Sequence, residues 1–207
     1  MYALDEHRVL RRYRRRTVPE YEVNVIRHVH AHGYPTPAVL DVSGPDLVLE
    51  RVDGPTMRVA LERDPSTLRR HAATLARLHE QLGRIVAPAW LRPLGPGDSV
   101  VHCDLHPENV LMGREGPMVI DWANARRGHW ADDVAMTIVI VGGAVKQSGV
   151  ITVSDTLLAG IAAFIDAFLE PFDREVVRAH LAAAIDRRTR DLNLSADEVA
   201  AARRVKV

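Results

Sequence analysis

Cysteine is nearly absent from this 207-residue chain: the single Cys103 leaves no partner for an intrachain disulfide, and its thiol is compatible with a reducing compartment. Excess charge is absent too. Lys plus Arg and Asp plus Glu both count 27, so no global field draws the chain to DNA or to an anionic membrane, and a nucleic-acid contact would need a local patch. No apolar run is long enough to span a bilayer. The longest, Val134 to Val145, falls short of the roughly 20 residues a spanning helix needs. The arginine-studded start has no apolar h-region, so no secretory signal is visible, and the expectation is a cytoplasmic protein with neither nucleic-acid nor membrane partner. Aromatics make up only 5%, which gives no support to an aromatic cage for a choline-like cation. What remains is a 47% hydrophobic chain, able to bury a core as one domain or as a compact two-lobed unit.

Periodicity divides the chain in two. HRVLRRYR reads as a strand, and a helix is expected from about Val18 to His32, with Tyr21 or Glu22, Val25, Ile26 and Val29 at helical spacing and Gly33 as its stop. Ala38 to Val42 and Asp46 to Val52 read as strands joined by the turn Ser43-Gly44-Pro45. From Thr56 the period is helical, with Leu68, Ala72, Leu75, Leu78 and Leu82 on one stripe after the start signal Asp64-Pro65-Ser66. Short strand signals return at Ser99 to Val101, Asn109 to Met112 and Met118 to Ile120. Everything after about Trp130 reads as helix, with Ser154 or Asp155, Asp173 and Ser195 as caps.

The chemistry concentrates in VHCDLHPENVLMGREGPMVIDW. Asp104 and Asn109 are five residues apart and Asp121 follows twelve later, on strand-like pieces that fold back on one another, so Asn109 and Asp121 can face one cavity with Asp104 at its mouth. Phosphoryl transfer needs such a set: a carboxylate to orient and deprotonate a hydroxyl, and hard oxygen ligands for Mg²⁺ on the phosphates. His102, Asp104 and His106 also spell H-x-D-x-H, which keeps a metal-dependent hydrolase open, though no second cluster of ligands accompanies it. His102 is expected to brace the loop. The run RRYRRR is expected to be a solvated strand edge with one inward arginine, because alternation puts half of it on each face.

HCDLHPENVL resembles the catalytic loop of the aminoglycoside phosphotransferase and choline kinase family, usually written H-G-D-x-x-x-x-N, and VIDWANARRGHWADDVA resembles the segment that follows it. The resemblance implies Asp104 as base, Asn109 and Asp121 as metal ligands, and a structural role for Asp133. Cys103 stands where the family usually has glycine. Upstream, LVLERVDGPTM is similar to the strand and hinge between the lobes, so Glu50, Arg51 and Val52 would present backbone groups to adenine. VLRRYRR and EVNVIRHVHAHGYPTPAV resemble the strand with the phosphate-pairing base and the helix with its acidic partner, which implies Arg11 and Glu22.

The implied fold is α+β and protein-kinase-like, with residues 1–52 a small, incomplete β-rich lobe and hinge, and 53–207 a mainly helical lobe holding the catalytic loop and acceptor site. Its implied activity is transfer of the γ-phosphoryl group of ATP, with GTP as the alternative, to a hydroxyl of a small molecule, using Mg²⁺. In the family two strands with a Gly- or Ser-containing loop precede the basic strand; MYALDEH is too short for them, so the expectation is an open edge on that strand, available for self-association. That leaves a catalytically weak or inactive kinase-fold binding protein as a second reading.

Overall fold

The computed structural model describes residues 1–14, 17–143, 155–191, 194 and 196–205. Four strands form the N-terminal sheet: β1 (Tyr2–Ala3), β2 (Arg8–Arg12), β3 (Val39–Ser43) and β4 (Asp46–Glu50), in the order β1-β2-β4-β3 and antiparallel throughout. The two-residue loop Gly44-Pro45 closes the β3–β4 hairpin, with Ser43 opposite Asp46 and Gly44 at φ +55. One expectation needs correcting. Tyr2 and Ala3 pair with Leu10 and Val9, so the edge of β2 is not open there. The reversal is local: the Asp5 carboxylate accepts the amides of His7 (2.9 Å) and Arg8 (2.7 Å), a side-chain turn that needs few residues.

Helix α1 (Glu20–Ala31) starts after Pro19, whose missing N–H costs nothing there, and buries Glu22, Val23, Val25, Ile26 and Val29. It stops at Gly33, φ +74, where Gly33 N–H reaches His30 O (2.9 Å) and Tyr34 N–H reaches Val29 O (3.1 Å). That bond pair satisfies the last carbonyls and favours a residue without a Cβ.

Beyond β4 the chain crosses to the larger part through Asp53-Gly54-Pro55. Gly54 packs against the backbone of the next hairpin, where a Cβ would lie 2.1 Å from Met112 O. Helix α2 (Met57–Arg63), capped by Thr56, leads to α3 (Leu68–Gly83), whose buried stripe includes the expected Ala72, Leu75, Leu78 and Leu82. Two short pairings follow: β5 (Ser99–Val101) with β8 (Arg126–Gly128), and β6 (Val110–Gly113) with β7 (Gly116–Val119). Helices α4 (Trp130–Gly143), α5 (Asp155–Leu169), α6 (Arg174–Thr189) and α7 (Ala196–Ala202) complete the larger part. Asp173 caps α6 as expected, accepting from the amides of Glu175 and Val176, whereas Ser154 and Ser195 lie outside the described residues. Thr137 of α4 ties the layers together, donating to Leu105 O (2.5 Å) and lying 3.0 Å from His79 of α3. Among the described residues no helix is long and apolar enough to cross a membrane.

Candidate active site

The loop between β5 and β6 carries Asp104 and Asn109. It is anchored from below by Asp133, in the first turn of α4, whose two carboxylate oxygens accept the amides of His102 (3.0 Å) and Cys103 (2.7 Å). Burial pushes the Asp133 carboxyl up to about 7, with those two amides pulling it back down. Cys103, at the position the resemblance gives to glycine, takes the left-handed conformation itself, φ +64. His102 is wholly buried and donates Nε2–H to Ile120 O (3.1 Å), so it braces the loop against the segment before Asp121; burial lowers it to about 4.

Asn109 ends a 3₁₀ turn (Pro107–Asn109), and its Nδ2 donates to Asp104 O (2.8 Å) with Asp104 Oδ2 at 3.3 Å. This fixes the amide so that its carbonyl oxygen faces away from Asp104. Burial raises Asp104 to about 6; Arg188 pulls it down and Asp121 pushes it further up. His106 Nε2 stands 3.6 Å from Asp104 Oδ1, and burial lowers its ring to about 4. Ile120 N–H donates to Asn109 O (3.0 Å), which brings the start of the Asp121 segment beside the loop. Asp121 itself is half exposed in left-handed backbone, φ +68.

Opposite Asp121 stands the N-terminal sheet. Arg11 Nη1 donates to Glu22 Oε1 (2.8 Å) and lies 3.6 Å from Asp121 Oδ1, while Glu22 is only 2% exposed. The second Glu22 oxygen accepts from Tyr13 O–H (2.6 Å), and the Arg11 guanidinium lies 5.0 Å from the centre of the Tyr13 ring. Burial first, then the bond to Glu22, pushes the Tyr13 hydroxyl up and keeps it a donor. Sequence reasoning missed Tyr13; its signal is its place two residues from Arg11, just past the end of β2. A cavity of about 420 Å³ joins these parts, lined by Arg11, Glu22, Glu50, Arg51, Val52 and Asp121 among others. Within the hinge, Arg51 N–H is already donated to His7 O (2.8 Å) and its Nη1 to Asp5 O (2.9 Å), and the Glu50 carboxylate accepts Ala38 N–H (3.1 Å). Of the arginine run, Arg12 is exposed and paired with Asp46, and Arg15 and Arg16 lie outside the described residues.

Of the H-x-D-x-H string, His102 Nε2 donates to Ile120 O, and among the described residues no group of three His, Cys, Asp or Glu side chains is placed to hold a metal ion.

The sequence profile of the phosphotransferase enzyme family matches residues 80–190, which includes the loop and Asp121. This chain belongs to that family. The profile of the RIO domain matches residues 2–129, so the N-terminal sheet and hinge are also covered. Aminoglycoside phosphotransferase APH(4)-Ia is similar in structure over 88% of this chain and 78% of its own, with a TM-score of 0.61 at 16% identity. An ethanolamine kinase of Plasmodium vivax is similar over 95% and 74%, with a TM-score of 0.59 at 12% identity. Amicoumacin kinase hAmiN, in complex with AMP-PNP, Ca²⁺ and Ami, is similar over 99% and 85%, with a TM-score of 0.51 at 14% identity. No curated protein matches the chain. The phosphotransferase chain therefore has the kinase-like fold: a small strand-rich part followed by a larger helical one.

Proposed function

We propose that this phosphotransferase moves the γ-phosphoryl group of ATP, or of GTP, to a hydroxyl of a small molecule. The supporting observation is the joint lining of one cleft by Arg11, Glu22, the 50–52 segment and Asp121, which come from four separate stretches of sequence. Adenine lies against the hinge, where Glu50 C=O and Val52 N–H serve as its edge, since Arg51 N–H is engaged by His7. Arg11 holds the phosphates. Glu22 and Tyr13 keep its guanidinium turned to the cleft.

The donors beside the cleft suit Mg²⁺, a hard cation that takes oxygen ligands: the Asp121 carboxylate and the Asn109 side-chain oxygen, left over once Nδ2 is fixed on Asp104. Bound there, the ion would neutralise charge on the phosphates. Asp104 accepts the proton of the acceptor hydroxyl as that oxygen bonds to the γ-phosphorus. The bond from phosphorus to the β–γ bridging oxygen breaks, and the nucleoside diphosphate leaves. A base near pKa 6 is ionised at neutral pH yet still basic enough to take the proton.

Calorimetric titration with Mg²⁺-ATP, paired with a transfer assay, tests the assignment. Asp104→Asn should keep nucleotide affinity and lose about 10²–10⁴-fold in turnover. Asp121→Ala should lose the Mg²⁺-dependent part of affinity. Retained turnover in Asp104→Asn removes the base, and equal losses with and without Mg²⁺ in Asp121→Ala remove the metal ligand. Tight nucleotide binding without transfer to any alcohol would leave a binding module.

A further inference from the structure

Histidines crowd the end of α1, and the kinase reading uses none of them. His28 and His32, the latter at the helix C-cap, are four residues apart and so share one face, with their ring centres 4.4 Å from each other. His30 is exposed and, two residues from each, belongs to another face.

Each ring of the pair spends one nitrogen on a backbone carbonyl. His28 Nε2 is 3.1 Å from Val86 O, and His32 Nδ1 is 2.8 Å from His28 O. A carbonyl only accepts, so both of those nitrogens carry a proton, and the neutral rings keep lone pairs at His28 Nδ1 and His32 Nε2. Metal-binding histidines are held in the same way: the second nitrogen donates to a carbonyl, which fixes the tautomer and makes the first nitrogen more basic. The spacing agrees. Two imidazoles at a right angle on one ion, each about 2.0–2.1 Å from it, hold their ring centres about 4.5 Å apart. The C-terminal end of α1 adds its partial negative charge at the same place.

We propose that His28 and His32 bind a divalent transition-metal ion of the Ni²⁺, Cu²⁺ or Zn²⁺ class through His28 Nδ1 and His32 Nε2. Imidazole suits these ions, whereas Mg²⁺ takes oxygen ligands. Among the described residues no third His, Cys, Asp or Glu joins the pair, so water fills the remaining positions. Val86 lies between α3 and β5, in the larger part of the molecule. A metal on His28 Nδ1 draws electrons from the ring and strengthens the Nε2–H bond to Val86 O, which tightens α1, the helix of Glu22, against the larger part.

Ni²⁺ and Zn²⁺ are titrated calorimetrically into the full chain in buffer with excess Mg²⁺, which occupies hard oxygen donors such as Asp121. We expect one ion per chain, with His28→Gln and His32→Gln each weakening it at least about tenfold and His30→Gln changing nothing. Trp90 supplies a second readout, because its ring centre is 6.3 Å from that of His28. Cu²⁺ should quench the fluorescence of the unaltered chain strongly and that of Trp90→Phe much less, while Trp90→Phe keeps its calorimetric Ni²⁺ binding. Should His28→Gln not fold for want of its bond to Val86, His32→Gln, at an exposed position, and the quenching carry the test. Binding of none of the three metals, Ni²⁺ affinity unchanged in His32→Gln, an equal loss in His30→Gln, or quenching unchanged in Trp90→Phe overturns the proposal. No nucleotide is present in these titrations, so their outcome is independent of the kinase reading.

Discussion

Cys103 sits at φ +64, a conformation in which a Cβ crowds the neighbouring carbonyl at a cost of about 1–2 kcal/mol. The loop tolerates it because the Asp133 carboxylate grips the amides of His102 and Cys103, the two peptides that flank the His102 α-carbon. Replacing it with glycine relieves that strain but adds unfolded-chain entropy that costs about 0.5–1 kcal/mol of stability. Cys103→Gly should therefore stabilise the protein by roughly 0.5–1 kcal/mol, read as a higher urea midpoint. A lower midpoint would mean that packing of the thiol outweighs backbone strain. The closeness of Asp104, Asn109 and the segment of Asp121 was legible in the sequence because a short motif carries their spacing. The bond of Tyr13 to Glu22 was not, since nothing in RRYRRR says which side chains turn inward until α1 packs on the sheet.

Strand β2 and helix α1 act as one device. Arg11 and Tyr13 lie two apart and so share a face of the extended chain, where they take the two oxygens of the buried Glu22 between them. Tyr13→Phe leaves one of those oxygens without its donor, which should cost about 1–3 kcal/mol in urea unfolding. A loss below about 0.5 kcal/mol would show that solvent takes the place of the hydroxyl. Elements with their own local grammar were readable beforehand: α1 ends at Gly33, β3 and β4 turn at Gly44-Pro45, and α6 begins at Asp173. Those made by pairing alone were not. Strand β8 is three residues, Arg126–Gly128, without alternation, and exists because β5 lies beside it; β1 is two residues folded back by the Asp5 turn.

Across the whole molecule, buried histidines and buried carboxylates pull stability in opposite directions with pH. Burial lowers His79 to about 3 and His102 and His106 to about 4, so each contributes stability above its ordinary 6.5 that is lost as pH falls toward the folded value. Asp104 and Asp133 are raised to about 6 and 7, so their contribution is complete at low pH and lost as pH rises. Burial lowers His71 as well, so four histidines stand against two carboxylates, and on balance unfolding takes up protons and stability falls as the solution is acidified below about pH 6. Urea midpoints at pH 7 and pH 5 measure it, and a higher midpoint at pH 5 would show the carboxylates to dominate. The adjacent pair Asp132 and Asp133 has a mechanical consequence. Asp133 holds the amides of His102 and Cys103 while Asp132 holds His180 of α6, so one turn of α4 is the common hinge pin of the loop and of that helix, and a tilt of α4 would carry both with it.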